Sequence, residues 1–289
     1  MCRNYFFLLS LFFLVSVFLP ATSNAEHLRL YACALASDDP ADFMGGSSIG
    51  AGLWISDDTA KTWTQVGWKH VKCYSVDVVD SSNGQIIYLA CGNGLMRSLD
   101  GGEHWRMLTD WRISEVMDVA IDQSHPNTIG IATSTGLWQT NDQGIHWKEV
   151  GEREYRPHLY FSPRYDAILP YNADTMGSSL LELDEQGSVL SNGSMVIRRN
   201  KHRGALWCIG HYDRTIVLGG ERGLFIVDTS NVPHKIADGP RNVHSVVNIG
   251  NELLLASLSG GVWKYDQTTF TQSGLDSLQV WKVKGVIIK

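Results

Sequence analysis

The sequence predicts an all-β protein assembled from a four-stranded unit that recurs roughly every 40 residues. Three observations predict it. Segments beginning at Gly52 (GLWISDDTAKTW), Gly94 (GLMRSLDGGEHW) and Gly136 (GLWQTNDQGIHW) align without gaps, spaced by 42 residues each time. The chain carries 28 Gly and 10 Trp but only 8 Pro among 289 residues, a composition for short strands and tight turns. Nowhere past the amino-terminal apolar run does a helical period persist.

Taken in order, the first 25 residues read as a signal peptide: Arg3, an apolar run over residues 5–19, Pro20, and small residues at Ser23 and Ala25. The apolar run is shorter than the ~20 residues a membrane span needs, so the expectation is cleavage after Ala25 and no membrane span in the mature chain. Export then places the protein in the periplasm or outside the cell, as a single domain over 26–289. LRLYACALA, from Leu28, is a strand. The second unit reads as CYSVDVV, QIIYLAC, LMRSL and WRML, divided by turns rich in Gly, Asn and Asp. The third reads as EVMDVAI, TIGIAT, GLWQT and WKEV. Weaker copies follow at Ser179 (SLLELDEQGSVL), Gly223 (GLFIVD) and Gly261 (GVWKYD). Four strands per unit, repeated, form the blades of a β-propeller. Six units give six blades; seven stays open if residues 151–194 hide another partial one. The first unit lacks an inner strand and LQVWKVKGV, from Leu278, is an inner strand without a blade, so their pairing would close the ring and remove two sheet edges.

The three strong segments share a motif. It reads Ser56-x-Asp58-x-Ala60-x-Thr62-Trp63, Ser98-x-Asp100-x-Gly102-x-His104-Trp105 and Thr140-x-Asp142-x-Gly144-x-His146-Trp147. This resembles the Asp-box, or BNR repeat, of sialidases, sortilin-type receptors, xyloglucanase-type glycosidases and photosystem-assembly propellers. The turn between third and fourth strands leaves backbone N–H groups unpaired, and the hydroxyl and carboxylate accept from them. Gly supplies a conformation that side chains resist, and Trp63, Trp105 and Trp147 are expected to bury their rings between sheets. The regular Asp residues are thus structural, and no metal ligand set or cofactor is expected.

Cys33, Cys73, Cys91 and Cys208 remain after export, each in an apolar strand. Cys73 opens one strand and Cys91 ends its antiparallel neighbour, which places them opposite one another, within disulfide range. Free buried thiols are the alternative.

The loops joining each fourth strand to the next blade (GWKHVK, TDWRIS, EREYRPH, RRNKHRG and GPRNVH) share one face, opposite the boxes. They bring Trp68, His70, Trp111, Arg112, Tyr155, Arg156, Arg203, Arg241 and His244 towards it, with residues 37–50 as a flap. A chain of net charge −6 that gathers cations in separate loops points to an anionic protein, glycan or small-molecule partner rather than nucleic acid. The function expected is a non-catalytic binding or scaffold propeller. The alternative is a glycoside hydrolase, for which the resemblance to xyloglucanase-type strands points to Asp77 and Asp118 as the carboxylates. The sialidase Arg-Ile-Pro motif before the first box has no counterpart here.

Overall fold

The computed structural model describes residues 26–36, 49–133, 136–150, 182–183, 189–191, 195–197, 206–212, 215–227 and 233–289. The expected signal peptide, residues 37–48 of the expected flap, and Tyr155, Arg156 and Arg203 lie outside them. Every regular element described is a β-strand except one 3-10 turn, Asp80–Ser82. The strands fall into six antiparallel sheets, five of them four-stranded.

The first sheet has the order β23-β1-β2-β3 (Gln279–Ile288, His27–Ala36, Ile49–Ser56, Thr64–Val66). The carboxy-terminal strand β23 pairs with β1 from His27↔Ile288 to Leu35↔Gln279, interrupted by one bulge at Cys33/Ala34. The second sheet is β4 to β7 (Cys73–Val78, Ile87–Cys91, Gly94–Ser98, Arg106–Met107). The third is β8 to β11 (Val116–Ile121, Ile129–Thr133, Gly136–Thr140, Lys148–Val150). The fourth sheet shows three strands: β12, β13 and β14 (Glu182–Leu183, Val189–Ser191, Met195–Ile197). The fifth is β15 to β18 (Leu206–Tyr212, Thr215–Gly220, Gly223–Val227, Pro233–Lys235), and the sixth β19 to β22 (Val243–Asn248, Leu253–Ser257, Val262–Tyr265, Phe270–Gln272).

Among the described residues, the first strands of five sheets pack in series, with β8 on β4, β4 on β23, β23 on β19 and β19 on β15. The first, second and sixth sheets are therefore covered on both faces, and the core lies between sheets rather than within one. Between the first and second sheets it holds Tyr31, Leu53, Val76, Val78, Ile87 and Leu89. Between the sixth and first it holds Leu254, Val262, Val280 and Val283. Apolar side chains on both strand faces account for runs such as QIIYLAC that show no polar alternation.

Cys73 and Cys91 are Cα partners in the β4–β5 ladder. The expected disulfide is nevertheless not formed, and all four described cysteines are free buried thiols. A bulge between Cys73 and Ser75 turns the Cys73 side chain across to the first sheet, where its Sγ lies 3.0 Å from the Gly52 carbonyl oxygen. The Cys91 Sγ stays within its own strand, 3.5 Å from the Leu89 carbonyl.

Candidate functional site

The box turns are built as their chemistry requires. Ser56 Oγ accepts from Ala60 N–H at 2.9 Å and donates to Asp58 Oδ1 at 2.8 Å, and Asp58 Oδ1 accepts from Thr62 N–H at 2.9 Å. Thr62 Oγ1 closes the turn onto Asp58 Oδ2 at 2.6 Å. In the second and third boxes an imidazole replaces that hydroxyl, with His104 Nδ1 2.7 Å from Asp100 Oδ2 and His146 Nδ1 2.6 Å from Asp142 Oδ2. Ser98 and Thr140 accept from Gly102 and Gly144 N–H at 2.8 and 3.0 Å. These donors hold the carboxylates ionised. The Thr62 hydroxyl and amide lower the Asp58 pKa well below the usual range, the Thr140 hydroxyl and His146 do the same for Asp142, and the His104 amide brings Asp100 to about 2.

The corresponding turn of the sixth sheet is capped differently. Asp266 accepts from Thr268 N–H and Thr269 N–H at 2.9 and 2.7 Å and from the Thr268 hydroxyl at 2.6 Å. It stands one position before the box aspartate, a place that Gln267 takes here, and forms a plain Asx turn.

The box tryptophans are half-buried, not buried as expected, because each indole spans the gap to the preceding sheet with one edge in water. Trp63 Nε1 donates to Ser273 O of the sixth sheet at 2.9 Å, and Trp147 Nε1 to Leu108 O of the second at 3.2 Å. Trp105 Nε1 donates within its own turn to Gly102 O at 2.9 Å, and its indole abuts Gly67 after the first sheet.

Asp77 and Asp118 occupy equivalent places in β4 and β8, and both are spent on ties between sheets. Asp77 Oδ2 accepts from Ile121 N–H of the third sheet at 2.8 Å, while its Oδ1 meets Lys284 Nζ of the first at 2.8 Å. The Asp77 charge raises the Lys284 pKa. Asp118 accepts from the Ser75 hydroxyl of the second sheet and stands 3.7 Å from Lys282 Nζ. Each carboxylate thus links three sheets. A hydrolytic pair needs two carboxyls facing one bond, one of them free to hold a proton; here each already faces a lysine.

On the loop face, Trp111 is 85% exposed and Trp68 60%. Arg112 folds back onto its own loop, with Nη2 2.6 Å from Asp110 Oδ2 and Nε 3.2 Å from Asp110 Oδ1. Arg241 and His70 are exposed. His244, expected on the rim, is instead the second residue of β19. Its ring packs edge-on to Trp281 with centroids 4.9 Å apart, and Trp281 meets Tyr74 in the same way at 5.2 Å. Burial lowers the His244 pKa to about 3, helped by the charge of Lys282. The loop was read two residues too long, because Val243 and His244 already belong to the strand. Among the described residues of this face, Lys69, Lys72, Arg112, Arg222 and Arg241 are matched by Asp110, Glu115, Glu221, Asp238 and Asp276. The surplus of cations read from the sequence rests on loops 151–156 and 198–203.

Asp100, Glu103 and His104 bring one ligand atom each within 4.8 Å of one another, though both Asp100 oxygens already serve the turn.

Neither a family model nor a curated protein matches the sequence. Solved structures do. A chain from the crystal structure of a nidogen–laminin complex is 9% identical, and the likeness covers 90% of this chain and 98% of that one with a TM-score of 0.58. The fold is a β-propeller. YCF48 bound to a D1 peptide is 15% identical over 78% of this chain and 76% of its own, with a TM-score of 0.43. A Niastella koreensis GH74 enzyme is 16% identical over 79% of this chain and 34% of its own, with a TM-score of 0.31. At such identities a likeness speaks for the fold and not for an activity.

Proposed function

We propose that the chain is an exported, non-catalytic propeller of six blades that takes an anionic partner on its loop face. The observation that carries this reading is a division of labour. The inner-strand carboxylates are tied up between blades, while the inter-blade loops leave Trp111 in water, 85% exposed. An indole held out at that level offers a flat face to a sugar ring or a planar ligand. Arg241 adds an exposed guanidinium on the same face. The charge of the partner follows from the loops at 151–156 and 198–203, where Arg153, Arg156, Arg198, Arg199, Lys201 and Arg203 outnumber Glu152 and Glu154. Closure of the ring by β23 supports a rigid platform for loops that come from separate blades. No helix among the described residues is long and apolar enough to cross a membrane.

An array of sulfated, carboxylated and neutral glycans tests the reading. Binding to acidic glycans should weaken as salt rises, since exposed charges are screened over ~8 Å at physiological ionic strength. Trp111→Ala with Arg241→Ala should weaken it further at an unchanged melting temperature. Hydrolysis of a sialoside or β-glucan that disappears in Asp77→Asn would establish the enzyme instead.

A further inference from the structure

A second surface, which shares only Trp68 with the loop face, lies on the flank of the propeller between its first two blades. Here β3, the outer strand of the first blade, faces the box turn of the second across a groove of ≈ 820 Å³. Val66 and Ile55 line it from the first blade, and the exposed indole of Trp68 stands at one end. Asp58, Asp100 and Glu103 complete the polar lining. The second box approaches β3 at Gly102, where a Cβ would make ordinary contact with Val66 Cγ2 at 3.5 Å.

The charge of this lining is one-sided. Arg29 is the only lysine or arginine among the residues that line the groove, and it is consumed by Asp57, with Nε 2.6 Å from Oδ1 and Nη2 3.0 Å from Oδ2. Asp58, Asp100 and the exposed Glu103 have no lysine or arginine of the groove left to meet them. Asp58 and Asp100 also stay ionised, because the N–H and hydroxyl groups of their turns hold the charge.

We propose that this inter-blade groove docks a cationic, extended peptide segment whose lysine or arginine side chain lies across Trp68. The parts match the occupant one by one. A long basic side chain lays its methylenes on an apolar floor while its head seeks charge. The floor is Val66 and Ile55, the charge is carried by Glu103, Asp58 and Asp100, and the indole offers a cation–π face to a head within ~6 Å of its centroid. An acidic segment would meet like charge, and a neutral apolar one would leave the exposed Glu103 unmatched. The site shares Trp68 with the loop face but rests on its own carboxylates, and its partner has the opposite charge to the one proposed there.

The test uses fluorescein-labelled octa-arginine and octaglutamate, followed by fluorescence anisotropy with the purified chain. Octa-arginine should bind and octaglutamate should not. Trp68→Ala combined with Glu103→Gln should weaken octa-arginine binding at least tenfold at an unchanged melting temperature, and Trp68→Phe alone should retain most of it. Asp238→Asn, which neutralises an exposed carboxylate between the fifth and sixth blades, should change affinity less than twofold. The proposal is overturned if octa-arginine does not bind, if the double variant binds as well as the parent, or if Asp238→Asn loses as much as the double variant, which would reduce the effect to overall net charge.

Discussion

At the scale of single residues, the boxes show how little chemistry separates a motif that can be read from one that cannot. Gly102 and Gly144 hold equivalent places at φ 102° and 90°, and a methyl group at either is resisted by the backbone, at a cost of about 1–2 kcal/mol. Their surroundings differ. A Cβ at Gly102 meets Val66 Cγ2 and Trp105 Cζ2 at 3.5 and 3.6 Å, ordinary contact, whereas one at Gly144 falls 2.9 Å from Leu108 Cδ1 and 3.2 Å from its Cβ. Forced packing of that kind adds roughly 1–3 kcal/mol. Gly144→Ala should therefore lower the urea midpoint clearly more than Gly102→Ala, and equal losses would place the cost wholly in the backbone. The roles of Ser56, Asp58, Ser98, Asp100, Thr140 and Asp142 were legible because residue type and spacing both repeat. Asp266 was not, because it caps its turn from one position before the motif's aspartate and looks like any loop aspartate. The half-exposure of Trp63, Trp105 and Trp147 was hidden too, since where an indole lands depends on the preceding blade, not on its own strand.

At the scale of elements, strands were legible from runs of β-branched and aromatic residues, and side-chain direction was not. Cys73 and Cys91 sit opposite one another, yet one bulge sends their sulfurs to different carbonyls. His244 was assigned to a loop because GPRNVH is polar, although its strand begins one residue before it. Asp77 and Asp118 look alike in sequence whether they cleave a bond or tie blades together, and their ion pairs with Lys284 and Lys282 of β23 appear only in the fold. That strand does three things at once. It pairs with β1 along its length, it contributes Val280, Val283, Val286 and Ile288 to two cores, and it supplies both lysines. Removing Gln279–Ile288 should leave β1 as a bare edge, Asp77 without its cation, and two inter-sheet cores open to water. The truncated chain should show no cooperative thermal transition by circular dichroism. A sharp transition near that of the parent would mean that β23 is an accessory.

At the scale of the whole molecule, charge is distributed so that acid acts on it in two stages. The three box carboxylates, Asp58, Asp100 and Asp142, and the turn carboxylate Asp266 all have pKa values below their unfolded value of 3.8, and backbone and hydroxyl donors are the main cause. A depressed carboxylate contributes stability that is present above the unfolded pKa and lost as pH falls through the folded one. That limb lies below about pH 4. His244 follows the same direction by a different route. Its folded pKa of about 3 lies below the ordinary 6.5, so the unfolded chain binds the proton first, and stability falls as pH drops from 6.5 towards 3. Burial against Trp281 and the nearby charge of Lys282 both oppose its protonation. The histidine limb therefore opens while the boxes are still intact. Urea midpoints measured at intervals from pH 7.5 to 3 should decline in two stages, the first between about pH 6.5 and 4.5 and the second, steeper, below about pH 4. His244→Phe keeps an aromatic ring beside Trp281 but cannot bind a proton, so it should flatten the first stage and leave the second in place. If the variant declined between pH 6.5 and 4.5 as steeply as the parent, the first stage would belong to another group, and the burial of His244 would have no part in it.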